Sequence, residues 1–152
     1  EILLEYPLEH SQLEKRRDEL NRELDRLARD LTRDGRTPLA LEAARALLEE
    51  GTCDPEGGAT PYDFFDTGSA SGEGISLTFA ALCQKLELSC RVVQGTWEEE
   101  PWIWTVVRTA EGWRHLDLSR LEGEDRPLYT DQQLRGLGYL WEDSTLPPCV
   151  EG

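Results

Sequence analysis

The chain has 152 residues, the size of one domain, and this length is enough to bury one hydrophobic core. Its formal net charge of −15 argues against binding to nucleic acid or to an anionic membrane surface, because both require basic patches. No run of eighteen apolar residues occurs, so direct membrane insertion is not expected. We therefore expect a folded acidic domain whose partner is a protein, a peptide or a glycan.

Four cysteines are present: Cys53, Cys83, Cys90 and Cys149. They are too sparse for a disulfide scaffold and lack the C-x-x-C spacing of metal sites, so we expect neither a metal nor a cofactor. Their pairing is left open by the sequence. Cys83 is expected to be an inert thiol in the core.

The first predicted element is an amphipathic helix over residues 11–33. Ser11 with Glu14 has the spacing of a capping box, and Asp34-Gly35 supplies the stop. Its leucines recur at helical spacing: Leu13, Leu20, Leu24, Leu27 and Leu31. The stripe is short for a coiled-coil arm, so packing within the chain is favoured over binding to a partner helix.

Two short helices should follow. The first starts at Thr37-Pro38, with Thr37 as N-cap, and runs to Gly51. Residues 51–60 have the turn chemistry of a loop. The second starts at Thr60-Pro61 and stops at Gly68.

Residues 68–118 form the predicted centre of the chain. A helix capped by Ser71 or Gly72 should run to about Leu86, and strands are expected at about 90–95, 102–109 and 113–118. Residues 110–112 have the composition of a short hairpin turn. Because strand side chains alternate, Trp102 and Trp104 should share one face. The same rule places Trp113, His115 and Asp117 together on one face of the last strand.

A polar loop over residues 122–126 leads to a last short helix. Thr130 and Gln133 have the spacing of a capping box, and Gly136 or Gly138 should end the helix. The pattern as a whole indicates an α+β fold, with N-terminal helices and a central helix packed on an antiparallel sheet.

Several motifs in the centre occur at a characteristic spacing. Gly72-Glu73-Gly74 is followed by Phe79 and Leu82, and then by Arg91-Val92-Val93-Gln94-Gly95, Trp102-Ile103-Trp104, Trp113 and Asp117. This set resembles the core of the transglutaminase-like superfamily, which has the papain-like cysteine-enzyme fold. The resemblance implies one domain over residues 1–152, with a helical part at 1–58 and the core at 59–152.

The catalytic positions of that family depart from its pattern here. The family has a Cys two residues before the helix glycine, a His-x-Trp motif and a later Asp. In this chain the nucleophile position falls on Gly72, the base position on Trp102 and the third position on Asp117. The family glycine after the central helix is also missing, since Leu86 is followed by Glu87. We expect no enzyme activity, because thiol catalysis needs the thiolate and its base.

The tryptophans allow two interpretations. Trp102 is larger than His and Gly72 smaller than Cys, so the indole could fill the space that Gly72 leaves, and this interpretation is favoured. The alternative is a ligand-binding site made of aromatic and polar side chains. Its members would be Trp97, Trp102, Trp104, Trp113, His115 and Asp117. In either case Asp117 should accept a hydrogen bond from an indole N–H or from the backbone.

The predicted function is a non-catalytic binding or scaffolding module in a larger bacterial protein. The expected location is extracellular or at the cell surface, with the targeting segment absent from this chain. One alternative is a hydrolase or amidase with a rewired site that uses His115 and Asp117. Another is a structural spacer with an acidic surface.

Overall fold

A computed structural model describes residues 2–31, 38–120, 128–142 and 148–149, and over residues 2–13 it describes the backbone alone. The helices are α1 (Ile2–Arg29), α2 (Leu39–Glu50), α3 (Pro61–Thr67), α4 (Gly72–Lys85) and α5 (Asp131–Gly136), with a 3-10 turn at Leu118–Arg120. The strands are β1 (Thr52–Cys53), β2 (Ser69–Ala70), β3 (Cys90–Trp97), β4 (Glu100–Thr109), β5 (Gly112–Leu116) and β6 (Tyr139–Leu140). This is an α+β arrangement, as the sequence predicted.

The main sheet has four strands in the order β5-β4-β3-β6, and every neighbouring pair is antiparallel. Side-chain alternation divides its residues between two clusters. Val107 and Leu116 pack into one cluster with α1, α2 and α4. Trp104 and Val106 face the other way, toward the second cluster with Leu134 of α5. The sheet therefore lies between the long helices and the C-terminal elements.

Helix α4 is the central helix that the sequence predicted. The Ser71 hydroxyl accepts a hydrogen bond from the Gly74 N–H over 3.3 Å, which caps its first turn. Ile75, Phe79 and Leu82 recur on one face and are fully buried. These three residues therefore form the face of α4 that packs toward the sheet.

Helix α4 ends in a tight turn, although the glycine expected from the resemblance is missing after Leu86. The Leu88 N–H donates to the Cys83 carbonyl over 2.8 Å, and the Glu87 N–H donates to the Gln84 carbonyl over 3.2 Å. This pair of bonds is a Schellman motif, which places Glu87 in the left-handed region at φ 61°. The helix stops in the usual shape, and Glu87 carries the conformational strain.

Helix α1 differs from its prediction at both ends. It begins at Ile2, so the predicted N-terminal cap at Ser11 is wrong: this residue lies inside a helix that has already started. The helix ends at Arg29, and the predicted stop at Asp34-Gly35 lies outside the described residues. Leu24 and Leu27 are buried in the cluster around α4, so the packing of the stripe within the chain is confirmed.

The shorter helices follow their cap signals closely. Pro38 occupies the N-cap of α2, one residue later than the predicted N-cap Thr37, and Thr37 itself lies outside the described residues. Thr60 with Asp63 forms a capping box for α3, and Gly68 ends it at φ 79°. Thr130 and Gln133 cap α5 in the same way, so this prediction is confirmed. Among the described residues, no helix has the length and apolar character needed to cross a membrane.

Candidate functional site

The first residue of α4 lies beside strand β4. A Cβ atom added to Gly72 would lie 3.8 Å from the carbonyl oxygen of Ile103, and no other heavy atom of the described residues outside its own helix and chain neighbours would lie within 4 Å. The helix start therefore meets β4 next to Trp102. No atom of the Trp102 indole lies within 4 Å of this Cβ position, so the close packing predicted between residues 72 and 102 is not seen.

The Trp102 side chain turns to Asp117 instead. Its indole N–H donates to Oδ2 of Asp117 over 2.7 Å. The ring is half-buried and lies against Trp97, with 5.0 Å between the ring centroids. The prediction that an indole N–H donates to Asp117 is confirmed. Trp102 thus contacts Asp117, and these are the two residues that the resemblance aligned with the base and the third catalytic position.

Asp117 accepts four hydrogen bonds and is only 5% exposed. The Tyr139 hydroxyl donates to Oδ2 over 2.6 Å, beside the Trp102 indole. The backbone N–H and the hydroxyl of Ser119 both donate to Oδ1, over 3.0 and 2.5 Å. Four donors fill the acceptor capacity of a carboxylate. Burial and the nearby Asp117 carboxylate raise the pKa of the Tyr139 hydroxyl, so this group remains a donor.

Arg120 completes this site from the same 3-10 turn. Its guanidinium donates to the Tyr139 hydroxyl over 3.0 Å and lies 3.9 Å from the centroid of the Trp97 ring. This cation–π contact covers one face of that indole. Sequence reasoning missed Ser119, Arg120 and Tyr139. Only Ser119 had a local signal, since Asp-x-Ser favours a hydrogen bond from residue 119 back to the carboxylate.

His115 belongs to a separate network on the same side of the sheet. The indole N–H of Trp104 donates to its Nδ1 over 3.0 Å, and its Nε2 lies 2.7 Å from Oδ1 of Asp131. Both His115 and Trp104 are fully buried. None of the four hydrogen bonds of Asp117 involves His115. The predicted pair of His115 with Asp117 is therefore not formed in this structure.

Asp131 connects this histidine to the C-terminal segment. Its Oδ2 accepts the backbone N–H of Cys149 over 3.2 Å, and its own N–H donates to the Cys149 carbonyl over 2.7 Å. Burial, followed by the negative charge of Asp131, raises the pKa of the Cys149 thiol to about 12. This thiol therefore stays protonated at neutral pH and is unreactive. The two hydrogen bonds given above join Asp131 to the backbone of Cys149.

The side chains of His115, Asp131 and Cys149 could supply metal ligands, because one ligand atom of each lies within 4.8 Å of the others. The hydrogen bond from Trp104 opposes this use. Since the indole N–H points at Nδ1, the imidazole proton sits on Nε2 and is shared with Asp131. A metal on Nε2 would move that proton to Nδ1, against the indole donor. We therefore interpret these side chains as a hydrogen-bonded network and not as a set of metal ligands.

The predicted ligand-binding residues divide into two groups. Trp104 and His115 are fully buried, so neither side chain is accessible to a ligand in this structure. Asp117 is buried with its acceptor sites filled. The half-buried members are Trp97, Trp102 and Trp113. Of these, Trp97 and Trp102 lie together beside Arg120 and form the accessible edge of the site.

Comparison with solved structures gives a likeness at the level of the fold. A solved structure described as "Crystal structure of a TGase" matches with a TM-score of 0.54 and 17% sequence identity, over 85% of this chain and 42% of that chain. No family model and no curated protein matches the sequence. The chain thus spans less than half of that solved chain. At this identity the likeness shows only that this chain shares a fold with that solved structure.

Proposed function

We propose that this chain is a non-catalytic transglutaminase-like domain that acts as a binding or scaffolding module within a larger bacterial protein. The proposal rests on the hydrogen bond from the Trp102 indole to Asp117, which spans 2.7 Å. In a cysteine enzyme of this fold, a carboxylate at that position would orient the imidazole base. Here an indole, which cannot accept a proton from a thiol, takes the place of the base.

Three of the four thiols are poor candidates for a replacement nucleophile. The pKa of Cys53 is raised by burial and by the charge of Asp117, and that of Cys83 is raised by the Cys90 thiol and by burial. The pKa of Cys149 is raised in the same direction. A catalytic cysteine needs the opposite shift, because the thiolate is the attacking species. These three thiols therefore support a non-catalytic assignment.

The alternative of a rewired hydrolase lacks the geometry that it requires. A general base must reach the proton that it removes, within about 3 Å or through one water. His115 is fully buried, and its two ring nitrogens face Trp104 and Asp131. We therefore favour a binding role, with the edge formed by Trp97, Trp102 and Arg120 as the surface that meets a protein, a peptide or a glycan.

Activity assays on the purified chain test this proposal. We expect no turnover of ester, amide or peptide substrates, and no transfer of an amine to a glutamine side chain. Asp117→Asn is the matched control, because it keeps the volume but removes the charge that a rewired site would need. Turnover that disappears in Asp117→Asn and in His115→Gln, with both variants folded by circular dichroism, would contradict the proposal.

A further inference from the structure

Two cysteines meet at the corner where α4 leads into β3. Cys83 lies in the last turn of α4 and is fully buried. Cys90 is the first residue of β3, opposite Val107 in the neighbouring strand, and is half-buried. Both side chains pack against the cluster between α4 and the sheet. Neither takes part in the site described above.

The turn between them folds the chain back on itself. The Schellman hydrogen bond of 2.8 Å brings the Leu88 N–H to the carbonyl of Cys83. Cys90 lies opposite Val107 in the neighbouring strand, and paired residues of antiparallel strands share one face of the sheet. Val107 and Cys83 are both buried in the cluster against which Cys90 packs. The Cys90 side chain therefore lies on the face of the sheet that is turned toward α4.

The chemistry of the two thiols agrees with this placement. A hydrogen bond with the Cys90 thiol is the largest cause of the raised pKa of Cys83, and burial is the second. Cys83 is consequently an unreactive thiol by itself, as the sequence predicted. Cys90 is the more accessible of the two, and it can meet a reagent from solution first.

We propose that Cys83 and Cys90 form a disulfide bond when the chain meets a disulfide oxidant such as glutathione disulfide. The Cys90 thiolate attacks one sulfur of the oxidant and releases one glutathione thiolate. The Cys83 sulfur, after losing its proton to solvent, then attacks Sγ of Cys90 and releases the second glutathione thiolate. The two cysteines lose two protons and two electrons in total, and glutathione disulfide is reduced to two glutathiones.

The second step should limit the rate, because the raised pKa keeps Cys83 protonated. The bond would close a short loop over residues 84–89, which includes the strained Glu87. A cross-link of this kind stabilises a fold mainly by restricting the unfolded chain. This inference is independent of the proposed binding function. In an oxidising compartment, the disulfide would be a covalent cross-link within the chain.

Peptide mapping tests the pairing directly. Trypsin cuts after Arg45, Lys85 and Arg91, so Cys83 and Cys90 fall on the neighbouring peptides 46–85 and 86–91. Cys53 is also on peptide 46–85, and the Cys53→Ser variant removes this ambiguity. We expect mass spectrometry without reduction to show the two peptides joined after incubation of folded Cys53→Ser protein with glutathione disulfide.

Thermal melts supply a second measurement. Oxidised wild type and oxidised Cys53→Ser should each melt about 5 °C or more above their reduced forms. Cys90→Ser should lose this difference while remaining folded, since Cys90 is only half-buried. Two outcomes would overturn the proposal: unlinked peptides 46–85 and 86–91 in the oxidised Cys53→Ser variant, or glutathione that stays attached to Cys90.

Discussion

The indole N–H of Trp104 donates a hydrogen bond of 3.0 Å to Nδ1 of His115, between neighbouring strands of the main sheet. Because Nδ1 accepts this bond, the neutral imidazole carries its proton on Nε2, where Asp131 receives it. This tautomer determines the role of the buried histidine. Through Asp131, His115 links the sheet to the C-terminal segment, and its Nε2 has no lone pair for a metal.

This arrangement makes a prediction for nuclear magnetic resonance. The nitrogen shifts of His115 should report the neutral tautomer with the proton on Nε2, and added zinc should leave them unchanged. Trp104→Phe should lower the free energy of unfolding by about 2 to 4 kcal/mol, since it removes buried area and leaves an acceptor unpaired. Trp113→Phe, at a half-buried position, is the control. Zinc-dependent shifts at His115 would instead identify a metal site.

The elements with long periodic patterns could be predicted from the sequence. Ile75, Phe79 and Leu82 are spaced for a helix that buries one face, and α4 was predicted to within one residue at each end. The start signal Thr60-Pro61 and the capping box at Thr130 marked α3 and α5 correctly. These signals are local, so a single sequence contains them. The capping-box pattern at Ser11 gave a wrong helix start, because the same pattern can also occur inside a longer helix.

The surroundings of Asp117 could not be predicted in the same way. Tyr139 reaches it from β6, a strand of two residues that is too short to show alternation. Arg120 contacts Trp97 across 23 positions of sequence, and no local rule connects them. The contact between Trp102 and Gly72 was inferred from volumes alone. Volume does not determine the direction of a side chain, and the indole follows its hydrogen bond to Asp117.

Glu87 is predicted to be a site where glycine stabilises the fold. Its φ of 61° lies in the left-handed region, which costs a side chain about 1 kcal/mol relative to glycine. Glu87→Gly should therefore raise the free energy of unfolding by roughly 0.5 to 1 kcal/mol. The control is Gln84→Gly in the last turn of α4, which should lower it by a similar amount. Denaturant melts that show both variants destabilised would contradict the assigned turn.

Cys149 is expected to make the stability depend on alkaline pH. Its thiol has a pKa of about 12 in the folded chain and an ordinary value of 9.0 when unfolded. Between these values the folded state binds more protons, so this group's contribution is full below pH 9 and is lost as pH rises toward 12. The loss for one thiol is at most ~1.4 kcal/mol per pH unit.

The Cys149→Ser variant isolates this effect, since serine does not titrate in this range. Its free energy of unfolding should fall less steeply above pH 9 than that of the wild type. The difference between the two proteins should therefore shrink with rising pH. A difference that stays constant from neutral to alkaline pH would show that the Cys149 thiol is not held protonated by burial and Asp131.

Gly72 and Trp102 are predicted to behave independently in stability measurements. Among the described residues outside its own helix, a Cβ at Gly72 has only the Ile103 carbonyl oxygen within 4 Å, so Gly72→Cys should change the free energy of unfolding by less than about 1 kcal/mol. Trp102→His removes part of a half-buried ring and should cost about 1 to 3 kcal/mol. At about pH 5, where the new thiol is protonated and uncharged, the double variant should equal the sum within about 0.5 kcal/mol. A larger coupling would mean that the indole reaches residue 72.

The same double variant should recover a reactive thiol. A cysteine at Gly72 begins a 14-residue helix, whose free N–H groups and dipole favour a thiolate. A histidine at Trp102 would donate to Asp117 in place of the indole, so that a protonated imidazole is stabilised beside the helix start. We therefore expect the new thiol to titrate below ~8.5, the value of a free cysteine. Ultraviolet thiolate absorbance, after subtraction of the wild-type signal, measures this pKa. Adding Asp117→Asn should raise it again, and an unchanged pKa would show that the two positions do not face one another across the helix start.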